Sequence, residues 1–295
     1  MSAVVVTYDS AADIDACLDG IAHPDVQVVV VDSCSRDDSA ALARAHDGVR
    51  VLALPDNVGW PRACNVGAAE AAAPVLAFVN PDARPSGADL VELARTLDDP
   101  AVGTVSPRFV EPDGSLQPFY FRFPTALSGV LTFLNVGQRI DQALGRPALS
   151  RRTYRFGRDL PAEVDQPGAA CLLVRAADFT ALGGFPDDLF LFFADTDLCL
   201  RVAQRGLRNA VRWDVDVVHR GGASVTALDE PTERRWVQAD YLRYVQRHRS
   251  RPVVVLTRVA ILVLSGLLPA VGRLLRGRPG SAWAMLRTGV GVALS

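Results

Sequence analysis

Ala3-Val4-Val5-Val6-Thr7 decides the fold of this chain, together with its companion Val26-Gln27-Val28-Val29-Val30-Val31. Both are short, β-branched apolar runs, the pattern of strands buried on both faces of a parallel sheet. Between them, Ala11–Ile21 reads as a helix. Ser35, with Asp38 three residues on, resembles a capping box that opens a second helix. Val49–Leu54 reads as the next strand, Pro61 suits a first helical turn, and Ala63–Ala73 is strongly helix-forming. Val75–Val79 is a further buried strand that ends at Asn80-Pro81-Asp82, and Ser86 can cap a helix running to Leu97. Strands alternating with helices predict a doubly wound α/β sheet flanked by helices. Ligands bind such sheets at the carboxyl ends of their strands. Thr7-Tyr8-Asp9, Asp32-Ser33 and Asn80-Pro81-Asp82 all stand at such ends.

The 295 residues can bury one large core, or a core plus an appendage. With 49% hydrophobic and 22% charged residues, the composition excludes a disordered chain. Every basic residue except histidine is Arg. From Tyr241 onward there are nine Arg and no acid, a +9 segment that leaves −11 on residues 1–240 of the overall −2. An acidic body with a basic, apolar tail suits a protein that works on an anionic membrane surface, and the charge does not point to nucleic acid. The five Cys form no CxxC pair and no zinc spacing, so they read as reduced core thiols. The N-terminus enters a strand without a charged region ahead of an apolar one, so no signal peptide is expected.

Residues 107–165 change character. Aromatics cluster at Phe119, Tyr120, Phe121 and Phe123, and Arg122, Arg139, Arg146, Arg151, Arg152, Arg155 and Arg158 outnumber the acids. This reads as an insertion of loops and short helices. A strand over Gln166–Val174 and a short helix over Ala177–Leu182 follow. Then comes Phe190-Leu191-Phe192-Phe193-Ala194-Asp195-Thr196-Asp197, an aromatic run that turns into a helix carrying carboxylates. Burial there raises a carboxylate's pKa and suits it to base chemistry. His219, in Val217-Val218-His219-Arg220-Gly221-Gly222, can supply a metal ligand or a phosphate contact. No GxGxxG follows the first strand, and there is no Walker A and no GxSxG, which removes the main support for dinucleotide, P-loop and hydrolase readings.

Taken in order, these pieces resemble the GT-A fold of glycosyltransferase family 2. They are Val4-Val5-Val6-Thr7-Tyr8, then Val30-Val31-Asp32-Ser33 with Asp37-Asp38-Ser39, Asn57-Val58-Gly59-Trp60 with Asn65-Val66-Gly67, and Asn80-Pro81-Asp82. Gly168–Leu173, Gly183-Gly184-Phe185, the Asp195/Asp197 helix and His219 complete the series. The resemblance covers residues 3–225, and its nearest subgroup is rhamnosyltransferase-like, which shares Asn-Pro-Asp. It implies a mixed GT-A sheet, a catalytic domain over 1–250 and a helical tail over 251–295. Within the domain, 1–105 would bind nucleotide and 106–250 the acceptor.

The resemblance implies an inverting, metal-dependent transferase using a nucleotide-sugar, dTDP-rhamnose in that subgroup. The acceptor would be a glycan or a polyprenyl-diphosphate-linked sugar of the cell envelope. Asp82 becomes a ligand of Mg²⁺ or Mn²⁺, with His219 completing the site. Such an ion neutralises charge on the leaving diphosphate. Asn80 stands where relatives often carry a first acid. Thr7, Tyr8, Asp9 and Asp32 fall on the nucleoside, and Asn57, Gly59 and Asn65 on the nucleotide-sugar. Trp60 packs either on the donor or in the core. Asp195 becomes the base that takes the acceptor proton. Ala194 occupies the position of the family's Glu, a departure that puts acceptor use in doubt. Asp197 lies about 200° around the helix from Asp195, and its i,i+4 spacing to Arg201 reads as an ion pair. Read singly, Asn-Pro-Asp is also a turn, Asp32 a turn acid and His219 a strand-end residue.

Val253–Gly272 approaches the length of a bilayer span, but Arg258, Ser265 and Pro269 interrupt it, and Ala282–Leu294 is too short to span. Interfacial helices at the cytoplasmic face of the membrane are expected, against packing or oligomerisation as alternatives. Two other classes compete. One is a non-catalytic nucleotide-sugar-binding protein, favoured by Ala194. The other is a sugar-phosphate nucleotidyltransferase, for which Thr7-Tyr8-Asp9-Ser10 lacks the Gly-rich basic loop.

Overall fold

The computed structural model describes residues 1–117, 120–125, 128–129, 163–221, 230–275 and 279–294. Phe119, Arg139, Arg146, Arg151, Arg152, Arg155, Arg158, Gly222, Arg276 and Arg278 lie outside the described residues. The chain divides into two compact units: 1–121, 158–190 and 194–227 in the first, and 122–157, 191–193 and 228–295 in the second. The second unit therefore takes in the Glu230–His248 helix, which the sequence reading leaves with residues 1–250.

The first unit is an eight-stranded mixed sheet in the order β3-β2-β1-β4-β7-β6-β8-β5. Its parallel half comprises β1 (Ser2–Thr7), β2 (Gln27–Asp32), β3 (Val49–Ala53) and β4 (Val75–Val79). Every residue of β1 is buried, as a β-branched central strand requires. The helices Ile14–Ile21, Ser39–Ala45 and Trp60–Ala69 make the crossovers.

The second helix starts at Ser39, not near Ser35. The residues before it are committed to turns. Ser35 N–H donates to Asp32 Oδ2 at 3.2 Å, and Asp37 Oδ1 accepts the Ser39 N–H at 3.0 Å. Such local side-chain bonds compete with helix formation. Ser86 does form a capping box with Asp89, opening the helix Gly87–Arg95.

β5 (Ala83–Arg84) pairs antiparallel with β8 (Arg208–His219), and β7 (Cys171–Arg175) runs antiparallel to β4. β7 is shorter than the expected Gln166–Val174 strand, because Gln166 makes only an isolated bridge to Phe121. β6 (Val102–Val110) carries the chain past residue 107, where the sequence reading begins an insertion. Gly103 and Pro107 hide this strand from pattern reading.

The second unit packs Leu242, Ile261, Val292 and Ala293 into a buried cluster. Arg251–Leu275 runs as one helix despite Pro269. A π-helical segment, Leu262–Leu267, precedes the proline and rearranges the carbonyl register that its missing N–H would break. Gly289 meets Gly266 so closely that a Cβ on Gly289 would lie 2.5 Å from the Gly266 Cα.

Candidate active site

Strand register builds the site. Thr7 pairs with Asp32 across β1 and β2, and Val5 pairs with Val79 across β1 and β4. Thr7, Asp32 and Asn80-Pro81-Asp82 thus share one edge of the sheet. β7 runs the other way, pairing Cys171 with Val79, so the residues before it reach the same edge. Asn80 N–H donates to Ala170 O there at 2.8 Å.

Thr7 and Asp32 are buried, at 0% and 4% exposure. Among the described residues, Thr7 Oγ1 and Asp32 Oδ1 have no hydrogen-bond partner. Buried polar atoms of this kind cost stability unless a water or a ligand supplies the bond. Asp9 is held by Arg36. It adopts φ +50°, and its carboxylate takes the Arg36 backbone N–H at 2.7 Å and the Arg36 Nε–H at 3.0 Å. Burial opposes its ionisation, but the bonds and charge of Arg36 outweigh that and hold Asp9 below the usual carboxylate range. Arg36 in turn lies over the Tyr8 ring, 5.8 Å from its centroid.

The next expected donor residues are also engaged internally. Asn57 Oδ1 accepts the Gly59 N–H at 3.0 Å, closing a turn. Gly59 has φ +81°, and a Cβ there would sit 2.3 Å from Phe190 O. The glycine thus admits the Phe190 backbone. Asn65 donates to Phe185 O at 2.8 Å and accepts from Phe185 N at 2.9 Å, clamping that turn. Trp60, half-buried, packs edge-on against Phe78 and tilted against Phe185.

Asp82 and His219 come together. The antiparallel pairing of Ala83 with His219 sets Asp82 beside the end of β8, and His219 Nε2 lies 3.4 Å from Asp82 Oδ1. Both side chains are buried, at 5% and 7% exposure for the two residues. Gln117 Nε2 donates to Glu111 Oε1 at 2.8 Å and to His219 O at 3.1 Å, which turns Gln117 Oε1 toward the ring. That oxygen sits 2.7 Å from His219 Nδ1, so Nδ1 carries the hydrogen. His219 Nε2 therefore faces the Asp82 carboxylate. A carboxylate and an imidazole are an apt donor pair for Mn²⁺ or Mg²⁺, with phosphate oxygens and water filling the remaining positions. Among the described residues no group of three or more His, Cys, Asp or Glu gathers.

Asp195 opens the helix Ala194–Gln204. Its Oδ1 accepts the Thr196 N–H at 2.8 Å, and its Oδ2 accepts from Gln166 Nε2 at 2.8 Å. Burial raises the Asp195 pKa above the ordinary carboxylate value, and the bonds from Thr196 and Gln166 only partly offset it. Asp197 is fully buried and pairs with Arg201 Nε at 2.5 Å, the expected ion pair. Arg201 also reaches Leu182 O at 2.6 Å and Gly184 O at 2.8 Å. Gln117, Gln166 and Thr196 are not among the site residues of the sequence reading. Each acts on a residue remote in sequence or through a local geometry that no spacing rule reports.

A family model described as Glycosyl transferase family 2 matches residues 2–153. An N-acetylglucosaminyl-diphospho-decaprenol L-rhamnosyltransferase of Mycobacterium tuberculosis is 27% identical over 240 residues, covering 73% of this chain and 74% of the relative. Among solved structures, a mannosyltransferase from Pyrobaculum calidifontis in complex with GDP-Man and Mn²⁺ superposes with a TM-score of 0.57 at 18% identity. That match covers 99% of this chain and 85% of the other. Glucosyl-3-phosphoglycerate synthase from Mycobacterium tuberculosis, with Mn²⁺, UDP and glucosyl-3-phosphoglycerate, gives 0.52 at 17% identity over 83% of this chain and 78% of the other.

Proposed function

Because this chain belongs to glycosyl transferase family 2, and is thereby a glycosyltransferase, we propose that it moves L-rhamnose from dTDP-rhamnose onto a lipid-linked or glycan acceptor with inversion. The mycobacterial relative, a rhamnosyltransferase by name, supports the sugar and the polyprenyl-diphosphate acceptor. The carrying observation is one sheet edge that gathers two unsatisfied buried atoms, on Thr7 and Asp32, with the Asp82–His219 pair.

In this reading Thr7 and Asp32 bind the nucleoside, with Tyr8 stacking under Arg36. Asp82 and His219 would hold Mg²⁺ or Mn²⁺, which would neutralise charge on the leaving diphosphate. Asp195, ionised, accepts the proton of the acceptor hydroxyl as that oxygen attacks the anomeric carbon. The new C–O bond forms as the bond to the diphosphate breaks, and the nucleoside diphosphate leaves with the electron pair. The raised pKa of Asp195 makes it a stronger base than an exposed carboxylate.

The second unit supports a membrane-facing role. Arg251–Leu275 is long and apolar enough by length and composition to cross a bilayer, and only 22% of its apolar window is buried. Leu275, Leu256, Val255, Trp283 and Leu294 are exposed. With the Arg residues among them, these helices fit association with an anionic cytoplasmic membrane face. The test is a donor screen by thermal shift with Mg²⁺ or Mn²⁺, followed by turnover with the best donor. Stabilisation by dTDP-rhamnose and its transfer support the reading, and stabilisation by another nucleotide-sugar alone overturns the sugar assignment.

A further inference from the structure

Ala194 is fully buried and offers the neighbouring carboxylate nothing but a methyl group. The support Asp195 receives comes from a residue 29 positions earlier in the chain. Gln166 is 3% exposed, and its backbone exchanges hydrogen bonds with Phe121 in both directions, at 2.9 and 3.1 Å. Its neighbours are tied down as well. Val164 N–H donates to Asn209 O at 3.1 Å, and Asn209 Nδ2 donates to Asp165 O at 2.8 Å. The side chain therefore starts from a fixed Cα.

Its amide is also fixed in rotation. Thr196 Oγ1 donates to Gln166 Oε1 at 2.7 Å, while Gln166 Nε2 donates to Asp195 Oδ2 at 2.8 Å. A carboxylate only accepts, so the NH₂ end must face Asp195, and the hydroxyl proton then has the amide oxygen as its partner. The competing hydroxyl contact to Asp195 Oδ1 is longer, 3.4 Å. Thr196 thus addresses Asp195 twice: directly through its backbone N–H, and through Gln166 by its hydroxyl. Cys199 lies four residues on along the same helix, and its buried thiol is pushed well above its ordinary value by burial and by the Asp195 charge.

We propose that Gln166, locked by the Thr196 hydroxyl, is a positioning residue that holds the Asp195 carboxylate in orientation for proton abstraction, replacing the acidic neighbour that Ala194 cannot provide. The inference rests on the reading of Asp195 as the base. A consequence is that the ionised base, opposed by burial, is supported by this neutral amide together with the Thr196 backbone N–H. Gln166→Leu removes that bond at similar volume. Thr196→Val keeps the backbone contact and the shape, and frees the amide to turn.

The test follows the Asp195 carboxyl carbon by NMR through a pH titration of the full chain, assigned with Asp195→Asn, alongside pH profiles of kcat/KM. Gln166→Leu is expected to move the Asp195 titration upward, and Thr196→Val to move it the same way by less. Affinity for dTDP with Mn²⁺ should stay within about twofold, which also reports an intact fold. The acid limb of kcat/KM should follow the titration, with a loss of about tenfold below the limb and a smaller loss on the plateau. An unmoved Asp195 titration in Gln166→Leu overturns the proposal. A moved titration with an unmoved rate profile upholds Gln166 as the residue that positions this carboxylate and removes Asp195 from the role of base.

Discussion

His219 Nε2 stands 3.4 Å from Asp82 Oδ1, and Gln117 holds the opposite ring nitrogen at 2.7 Å. The imidazole is thus presented to the carboxylate in one orientation. Asp82→Ala should abolish the strengthening of dTDP binding by Mn²⁺, measured by titration calorimetry with and without the ion. His219→Ala should weaken the same effect by less, since the carboxylate and phosphate oxygens remain. Metal-stimulated binding that survives Asp82→Ala places the ion elsewhere.

Thr7 Oγ1 and Asp32 Oδ1 give a separate prediction. Replacing a buried, unsatisfied hydroxyl with a methyl group of the same shape removes a desolvation cost. Thr7→Val should therefore leave the melting temperature of the ligand-free protein unchanged or raised, while weakening dTDP binding. Asp32→Asn should weaken dTDP binding about tenfold or more. Unchanged affinity in both variants would remove this edge from the nucleotide site.

Asp195 links pH to both rate and stability. Burial raises its pKa in the folded chain, so its contribution to stability is present below the unfolded carboxylate pKa and fades as pH rises through the folded value. Above that value the ionised group costs stability, and Asp195→Asn should raise the melting temperature at neutral pH by roughly 1–3 °C. The acid limb of wild-type kcat/KM should lie above the ordinary carboxylate range. A limb at or below that range contradicts burial as the dominant influence.

The exposed apolar helices predict binding to vesicles containing anionic lipid, measured by sedimentation. Each Arg near such a surface contributes about 1 kcal/mol, a salt-screened share. Binding should weaken at high salt without vanishing, because the apolar contact remains. A full chain that ignores anionic vesicles at low salt makes these helices a packing or oligomer element, and a lipid-linked acceptor loses its support.

The sheet was readable because β1, β2 and β4 are buried on both faces, and such strands are written as unbroken Val-rich runs. Thr7, Asp32 and Asp82 were readable for the same reason, since strand ends can be located once strands are. β6 was not, because Gly103 and Pro107 interrupt its pattern. The partners of the site residues were hidden for a different reason. Gln117 meets His219 across 102 residues, and Gln166 meets Asp195 across 29. Those contacts depend on sheet order, which single-sequence periodicity does not carry. The contacts of Asn65 and Gly59 with the backbone of Phe185 and Phe190 were hidden in the same way.

The most direct measurement is sugar transfer by Asp195→Asn, run beside donor affinity in the same preparation. A base acts on the acceptor and leaves the nucleotide contacts alone. Transfer should fall by about two to four orders of magnitude while dTDP-rhamnose binding with Mn²⁺ stays within about twofold of wild type. Wild-type turnover in Asp195→Asn would contradict the account.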